Sequence, residues 1–277
     1  MRSVVNRVGV FVIVLAVLWG LWEGWHAIGT ELKLTWPFPV NDVTMPHLHR
    51  IVKSLFEPAQ VNGPWLIDIL WHASLFTAKE AATGFVMGAV LGFTLAVVLA
   101  HSRILQRGLL PYIVASQTIP ILAIAPMVVV WLGSRGLPGW FSVSVISAYL
   151  TFFPVTINTL RGLQAADPRA VELMRSYAAG RWSIIWKLRV PSALPFLFSA
   201  LRIAAPLAIV GAIISEPAAS IQGGLGGAIV NFNQYYALEP TFLWATNVVC
   251  AILGIIFYLA VAGTERLVLR RAPEHFA

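Results

Sequence analysis

The chain has 277 residues, of which 58% are apolar and only 11% charged, with a formal net charge of +7. Soluble domains carry about 45–50% apolar and about 25% charged residues, so this composition cannot cover a water-facing surface, and a mean hydropathy of +0.78 agrees. A soluble enzyme, a secreted disulfide scaffold, a disordered chain and a nucleic-acid module are excluded at this step, and the single Cys250 excludes an internal disulfide or a cysteine metal cluster.

Six apolar stretches are long enough to cross a bilayer, at 8–28, 81–100, 109–133, 139–160, 193–215 and 241–263, since a helical crossing takes about 20 residues. The first follows a basic start (Arg2, Arg7) but is longer than a signal-peptide core and is read as a retained anchor. With both ends inside, thirteen of the nineteen Lys and Arg fall in inner segments and five in outer ones. The bias places both termini in the cytoplasm, and it accounts for the basic charge without nucleic acid.

The segment 29–80 lies outside. Trp36-Pro37-Phe38-Pro39 and Met45-Pro46-His47 mark turns, 47–57 has Leu48, Ile51, Val52 and Leu55 at helical spacing, and a second helix from Trp65 to Lys79 leads into span two. His47 and His49 lie two apart without a carboxylate cluster in the sequence around them, and are not read as a metal site. Span two carries Gly84, Gly88 and Gly92, a strip of small residues that lets a second helix approach. Packing within the subunit is the expected use, with a dimer contact as the other.

Span three contains Pro111, Pro120 and Pro126, span four Pro154 and span five Pro206. Each proline removes a backbone donor and bends its helix, which is tolerated at membrane depth around a cavity. Ser116, Gln117, Pro120 and Asn158 are therefore the candidates for lining a path, with an interhelical bond as the other reading of Gln117. Only Glu23 and Arg202 are charged well inside the six stretches; Arg202 is expected to reach toward the cytoplasmic surface or an interior carbonyl cluster. Such a set is too poor in carboxylates for a proton relay.

No G-x-x-x-x-G-K-[ST], G-x-S-x-G or H-E-x-x-H is present, and Gly223-Gly224-Leu225-Gly226-Gly227 lacks dinucleotide-fold spacing. The segment from Glu216 to Pro240, rich in Gly and aromatic residues, is too polar to span and is expected to form an outer gate or docking surface. The inner loop 161–192 is long and structured. Asp167-Pro168 starts a helix, with Asp as cap and Pro at the first position. Val171, Met174 and Ala178 share one face, Gly180 breaks the helix, and a second amphipathic piece runs from Trp182 to Arg189, ended by Pro191 and Pro195. Two short helices at an angle make a knob that fits a groove of another protein.

This loop resembles the E-A-A-x3-G-x9-I-x-L-P signature of permease subunits of ATP-binding-cassette (ABC) importers. Glu172 holds the glutamate position, Leu173 and Met174 the alanines, Ala178 the glycine, Leu188 the isoleucine and Val190-Pro191 the Leu-Pro. The likeness extends over about 65–270. Gln117-Thr118-Ile119-Pro120, Ala125-Pro126, Trp131-Leu132-Gly133, Ser192-Ala193-Leu194-Pro195, Leu201-Arg202, Glu216 and Gly224-Leu225-Gly226 follow one another as in nitrate/sulfonate/taurine-type permeases.

The resemblance implies an all-α, six-span, type I importer permease fold with a cytoplasmic coupling helix between spans four and five. It divides the chain into 1–64 (first span and outer segment), 65–270 (transmembrane domain) and 271–277 (tail). It implies a multi-pass protein of the bacterial inner membrane, paired with a second, identical copy, with an ABC ATPase under each copy and a solute-binding protein outside. The chain itself would catalyse nothing and bind no cofactor, ATP and Mg being used by the partner. Glu172, Met174, Arg175, Tyr177, Ala178, Ala179, Gly180 and Pro191 would form the ATPase-coupling surface; Glu216, Gly224, Leu225 and Gly226 would belong to the outer gate or docking surface. Met174-Arg175-Ser176-Tyr177-Ala178-Ala179 is most similar to subunits for pyrimidine or vitamin-precursor uptake, with sulfonate, taurine and nitrate as alternatives. Readings from other classes are a polytopic enzyme acting on lipid-borne substrate, which needs an acid–base cluster at one membrane face, and a secondary transporter.

Overall fold

The computed structural model describes residues 2–33 and 39–269, with the side chains of 2–8, 11, 12 and 15 excepted. Trp36-Pro37-Phe38, Arg270, Arg271 and the tail 271–277 lie outside the described residues. Among those described the chain is helical, without a β-strand: α1 (Arg2–Glu31), α2 (Leu48–Ser54), α3 (Leu66–His101), α4 (Arg103–Ser116), α5 (Ile121–Gly133), α6 (Gly139–Gln164), α7 (Pro168–Ser176), α8 (Arg181–Ile184), a π-helical turn (Ile185–Arg189), α9 (Val190–Ser215), α10 (Leu225–Gln234) and α11 (Pro240–Leu269). Four helical stretches, 66–101, 139–164, 181–215 and 240–269, are long and apolar enough to cross a membrane. A fifth is present if α4 and α5, bent by 99° at their junction, count as one crossing. Pro120 caps α5 with φ −61° and ψ 127°, an extended backbone that a helix cannot pass through, so the single third span read from the sequence is broken in two.

The chain divides into two compact units, one of residues 1–71 with 228–249 and one of 72–227 with 250–277. In the first, the Trp22 Nε1–H donates to the Pro46 carbonyl at 3.1 Å, and the Trp22 ring meets Trp244 edge-on at 5.4 Å. The Tyr236 hydroxyl donates to the Val43 carbonyl at 2.7 Å. Asn41 closes the turn between them, its side-chain oxygen accepting from the Val43 and Thr44 backbone N–H groups. The amphipathic helix expected over 47–57 is shorter, Leu48–Ser54, with Ile51 and Ser54 buried. Beyond it the Phe56 and Glu57 N–H groups close separate turns, and residues 58 and 65 pair as a short bridge.

The second unit is built on the contact between α3 and α6. A Cβ on Gly84 would stand on Ser147 Cβ, one on Gly88 would lie 2.6 Å from both the Ala148 carbonyl and Thr151 Cβ, and one on Gly92 would lie 2.6 Å from the Phe152 carbonyl. The strip is thus used within the subunit: three glycines one turn apart sit against successive turns of α6, at a distance no other residue permits. α9 joins the same contact: the Ser147 hydroxyl donates to the Ala208 carbonyl at 2.8 Å, and Ala81, Val143 and Ala208 pack in one cluster. Ala204, Ala205, Ala208 and Ala212 are fully buried on α9. Away from this centre, α11 exposes Ile252, Ile255, Ile256 and Leu259, and α5 exposes Leu122, Met127 and Val130. Apolar side chains facing outward are what hydrocarbon surroundings allow.

Gly88→Val should lower unfolding stability in detergent by about 1–3 kcal/mol through overpacking. Gly254→Ala on α11, where a Cβ meets nothing within 4 Å, should cost nothing. Thermal unfolding of the two variants checks the contrast.

Candidate functional site

At the end of α9 the chain turns back on itself around Glu216. This carboxylate is fully buried; its Oε1 accepts from the Thr77 hydroxyl at 2.5 Å and its Oε2 from the Gly226 N–H at 2.6 Å. Thr77 in turn accepts from the Leu225 N–H at 2.9 Å. The two backbone donors are the otherwise unsatisfied N–H groups of the first turn of α10, so Glu216 and Thr77 cap that helix together. Burial raises the Glu216 carboxyl above its ordinary value, and the Thr77 and Gly226 hydrogen bonds work the other way. The glycines follow from the carboxylate: a Cβ on Gly224 would sit on the Glu216 carboxyl group, and one on Gly226 on the Ile213 carbonyl. Glu216, Gly224, Leu225 and Gly226 are all buried. Exposed residues beside them are Gln222 and Gly223.

Glu80 joins this cluster. It is 1% exposed, neither carboxyl oxygen has a hydrogen-bond partner, and the Glu216 carboxyl is its titratable neighbour. The sequence reading began span two at residue 81 and so left Glu80 in the outer segment. In the structure α3 runs unbroken from Leu66, and Glu80 lies inside it. Glu23 and Arg202 are therefore not the only charges in the span helices.

The loop 165–189 forms the second constellation. Asp167 caps α7, its carboxylate accepting from the Arg169 N–H at 2.9 Å, and Pro168 opens the helix as expected. The other end differs from expectation. The helix closes when the Ala178 N–H bonds the Arg175 carbonyl at 2.9 Å and the Ala179 N–H the Met174 carbonyl at 3.0 Å, a Schellman pair. The residue that turns left-handed is Ala178, at φ 55°, while Gly180 is extended at φ −67° and begins α8. The sharp turn thus falls at the alanine that replaces the signature's glycine, and Gly180 does not supply it.

The second piece is not a separate helix ended by Pro191 and Pro195. α8 passes through the π-helical turn straight into α9, with Pro191 in its first turn. A proline ring clashes with the carbonyl four residues back, and the wider π turn immediately before it makes room. The joint is rooted in the bundle: Ile185 and Ala193 pack with Ala96, Leu99, Leu160 and Leu163 from α3 and α6, and Trp182 stacks on His101 at 5.0 Å.

Of the coupling candidates, Glu172, Arg175, Tyr177, Ala178 and Gly180 are exposed, Met174 and Ala179 half-buried. Tyr177 stands 80% exposed at the tip. At the base of this loop opens a cavity of about 590 Å3 onto which Arg103, Arg175, Arg181 and Arg189 converge, with no carboxylate lining it among the described residues. The surface is apolar at its tip and strongly cationic at its flank.

Three of the four path candidates, Ser116, Gln117 and Pro120, lie at the α4–α5 break, and Asn158 lies on α6. The Tyr149 hydroxyl on α6 donates to the Ser116 carbonyl, and the Ser116 hydroxyl turns back to Ile113. The Gln117 side-chain nitrogen is buried without a partner, so the interhelical bond considered for it is absent among the described residues. Asn158 donates its side-chain amide to the Pro154 carbonyl of its own helix at 3.0 Å. Arg202 is paired with a carboxylate: its Nε lies 3.0 Å from Glu265 on α11. Glu265 falls just past the sixth apolar stretch; the one signal for it was that a charge inside a span needs a counter-charge.

The comparisons with known proteins bear on this geometry. Residues 88–271 match the family described as binding-protein-dependent transport system inner membrane component. The formylaminopyrimidine transport permease protein ThiX of Halalkalibacterium halodurans is 34% identical over 248 residues, which cover 86% of this chain and 91% of that one. The riboflavin transport system permease protein RibX of Chloroflexus aurantiacus is 31% identical, over 89% of this chain and 91% of its own. SsuC of Bacillus subtilis, a putative aliphatic sulfonates transport permease protein, is 26% identical over 92% and 84% respectively. Among solved structures, an amino acid ABC transporter crystallised with histidines superposes with a TM-score of 0.56 over 74% of this chain and 94% of that chain, at 18% identity. This likeness shows a shared fold.

Replacing Ala178 by glycine removes a left-handed alanine, a conformation costing roughly 1–2 kcal/mol for residues with a Cβ. Ala178→Gly should therefore raise the melting temperature and Ala178→Val lower it. Glu216→Ala leaves the Gly226 N–H and the Thr77 hydroxyl without their acceptor, and should destabilise the protein by about 1–3 kcal/mol, read by denaturation in detergent.

Proposed function

Because this chain belongs to the binding-protein-dependent transport system inner membrane component family and is a permease subunit of an ABC importer, we propose that it forms half of a six-span-per-chain translocation path driven through loop 165–189. In this reading both termini and that loop are cytoplasmic, a second identical copy completes the path, an ABC ATPase grips each copy, and a solute-binding protein delivers the cargo outside. The cargo is a small nitrogen heterocycle of pyrimidine or vitamin-precursor type.

One observation carries the mechanical part. An exposed capped helix, α7, is joined through a left-handed turn and a π turn to α9 and anchored on α3 and α6 by Ile185. A load applied to Tyr177 and Leu173 reaches the ends of three long helices without crossing a flexible linker. The four arginines around the adjoining cavity suit an acidic groove rim on the ATPase, where charge fixes register and partner choice. The break at 117–120 with its unpartnered Gln117 amide supports the path running along α4 and α5. The preference for heterocyclic cargo rests on the relatives named for formylaminopyrimidine and riboflavin, at 34% and 31% identity, against 29% and 26% for two named for sulfonates and 25% for one named for nitrate.

In proteoliposomes with the ATPase and binding protein, uptake should require ATP and the ATPase and should survive a proton uncoupler. Uptake that the uncoupler abolishes would identify a secondary carrier instead. Glu172→Ala and Arg175→Glu should each weaken copurification of the ATPase by about tenfold or more, or about 1.4 kcal/mol, while leaving the permease folded. Normal copurification and turnover in both would remove the coupling role. Mass spectrometry of the solute held by the binding protein encoded with this chain should find a heterocycle; an alkyl sulfonate or nitrate would overturn the cargo assignment alone.

A further inference from the structure

The first compact unit holds a cluster of metal-ligating side chains that transport does not use. His26 on α1, Asp42 in the turn after it and His47 at the start of α2 each offer a ligand atom within 4.8 Å of the other two. His26 is 5% exposed, and its Nε2 is buried with no hydrogen-bond partner. That nitrogen lies 3.3 Å from Asp42 Oδ1. The separation is close enough for an interaction, yet the alignment makes no hydrogen bond. Two ligands on a tetrahedral zinc, each bonded at about 2.0–2.1 Å, stand about 3.3 Å apart.

The surrounding groups have the pattern that orients metal ligands. The His47 Nδ1 is held at 2.6 Å from Glu23 Oε2, leaving its other ring nitrogen available, and the remaining Glu23 oxygen accepts from the Leu48 N–H at 3.0 Å. The remaining Asp42 oxygen accepts from Arg50 at 2.9 Å. A carboxylate behind one ligating histidine and a guanidinium behind the ligating carboxylate fix orientation and tautomer. The His26 and His47 rings lie 4.1 Å apart, centroid to centroid.

We propose that His26, Asp42 and His47 form a divalent transition-metal site, selective for zinc-like ions over Mg2+ or Ca2+. Two imidazoles and one carboxylate suit zinc, cobalt or nickel, whereas the hard cations require oxygen ligands. His47 and His49 alone lack a carboxylate cluster; the fold adds His26 and Asp42 on one side of His47 and Glu23 on the other. Glu23, His47 and His49 make a second set sharing His47, but there Glu23 is already engaged by the Leu48 N–H and the His47 ring, and His49 is exposed. The ion would pin α1 to the segment 39–54, and the inference stands independently of which solute the permease carries.

The test uses the full chain in detergent, stripped with a chelator, desalted and titrated with Zn2+ and separately with Co2+. One metal per chain should remain after gel filtration, the cobalt form should show ligand-field bands of a four-coordinate site, and Zn2+ should raise the melting temperature. His26→Gln and Asp42→Asn should each lose the retained metal and the thermal shift at an unchanged elution volume; His49→Gln should keep both. Substoichiometric zinc in the wild type would overturn the site. So would metal retained by the Asp42→Asn protein, or lost by His49→Gln and kept by His26→Gln.

Discussion

Lipid offers helices no hydrophobic reason to associate, so what holds a membrane bundle together is how near two backbones can come. In this chain that constraint is met where the three glycines of α3 rest on Ser147, Ala148, Thr151 and Phe152 of α6. α9 packs against α6 through Ser147 and Gly211, and α9 continues into the turn that bears Glu216. Each later feature takes its position from this contact. Small residues on α3, hydroxyls on α6 and alanines on α9 form a graded series, and each allows the next helix to approach closely enough for van der Waals packing to replace solvent exclusion.

Two charged side chains of this bundle have partners supplied by the fold. Arg202 has Glu265, and Glu216 has a hydroxyl and a backbone amide. In both cases a polar group that would be costly against hydrocarbon ties together elements distant in the chain; Thr77 and Glu216 are 139 residues apart. Buried ion pairs and capped carboxylates contribute modestly to stability but are costly to break. They give the assembly few alternative packings, a useful property in a protein that must move between a small number of defined shapes.

Features carried by neighbouring residues were legible in the sequence. The Asp167-Pro168 helix start, the glycine spacing on α3, the bend forced by Pro120 and the helix leading from Trp65 into the bilayer all follow from local backbone chemistry. Features joining remote residues were not. Glu80, Thr77, Glu265 and the grouping of His26 with Asp42 and His47 have no local pattern; they become visible only once the helices are placed. Two readings failed for a subtler reason. Gly180 and Pro191 are a helix breaker and a helix stop by propensity, but the turn fell at Ala178, where the Schellman hydrogen bonds close, and the π turn absorbed Pro191 without ending the helix. Propensity ranks residues at a position, while hydrogen-bond closure decides which position must bend.

The π turn at Ile185–Arg189 has a mechanical consequence. A surplus residue in one helical turn can in principle travel along the rod, and each step swivels everything beyond it by about 100° and slides it by about 1.5 Å. Here travel is blocked: upstream the helix begins only at Arg181, and downstream Pro191 and Pro195 lack the amides needed to re-form the ladder behind a moving defect. The joint is therefore a soldered elbow rather than a slipping clutch, its bend fixed at one place along the rod.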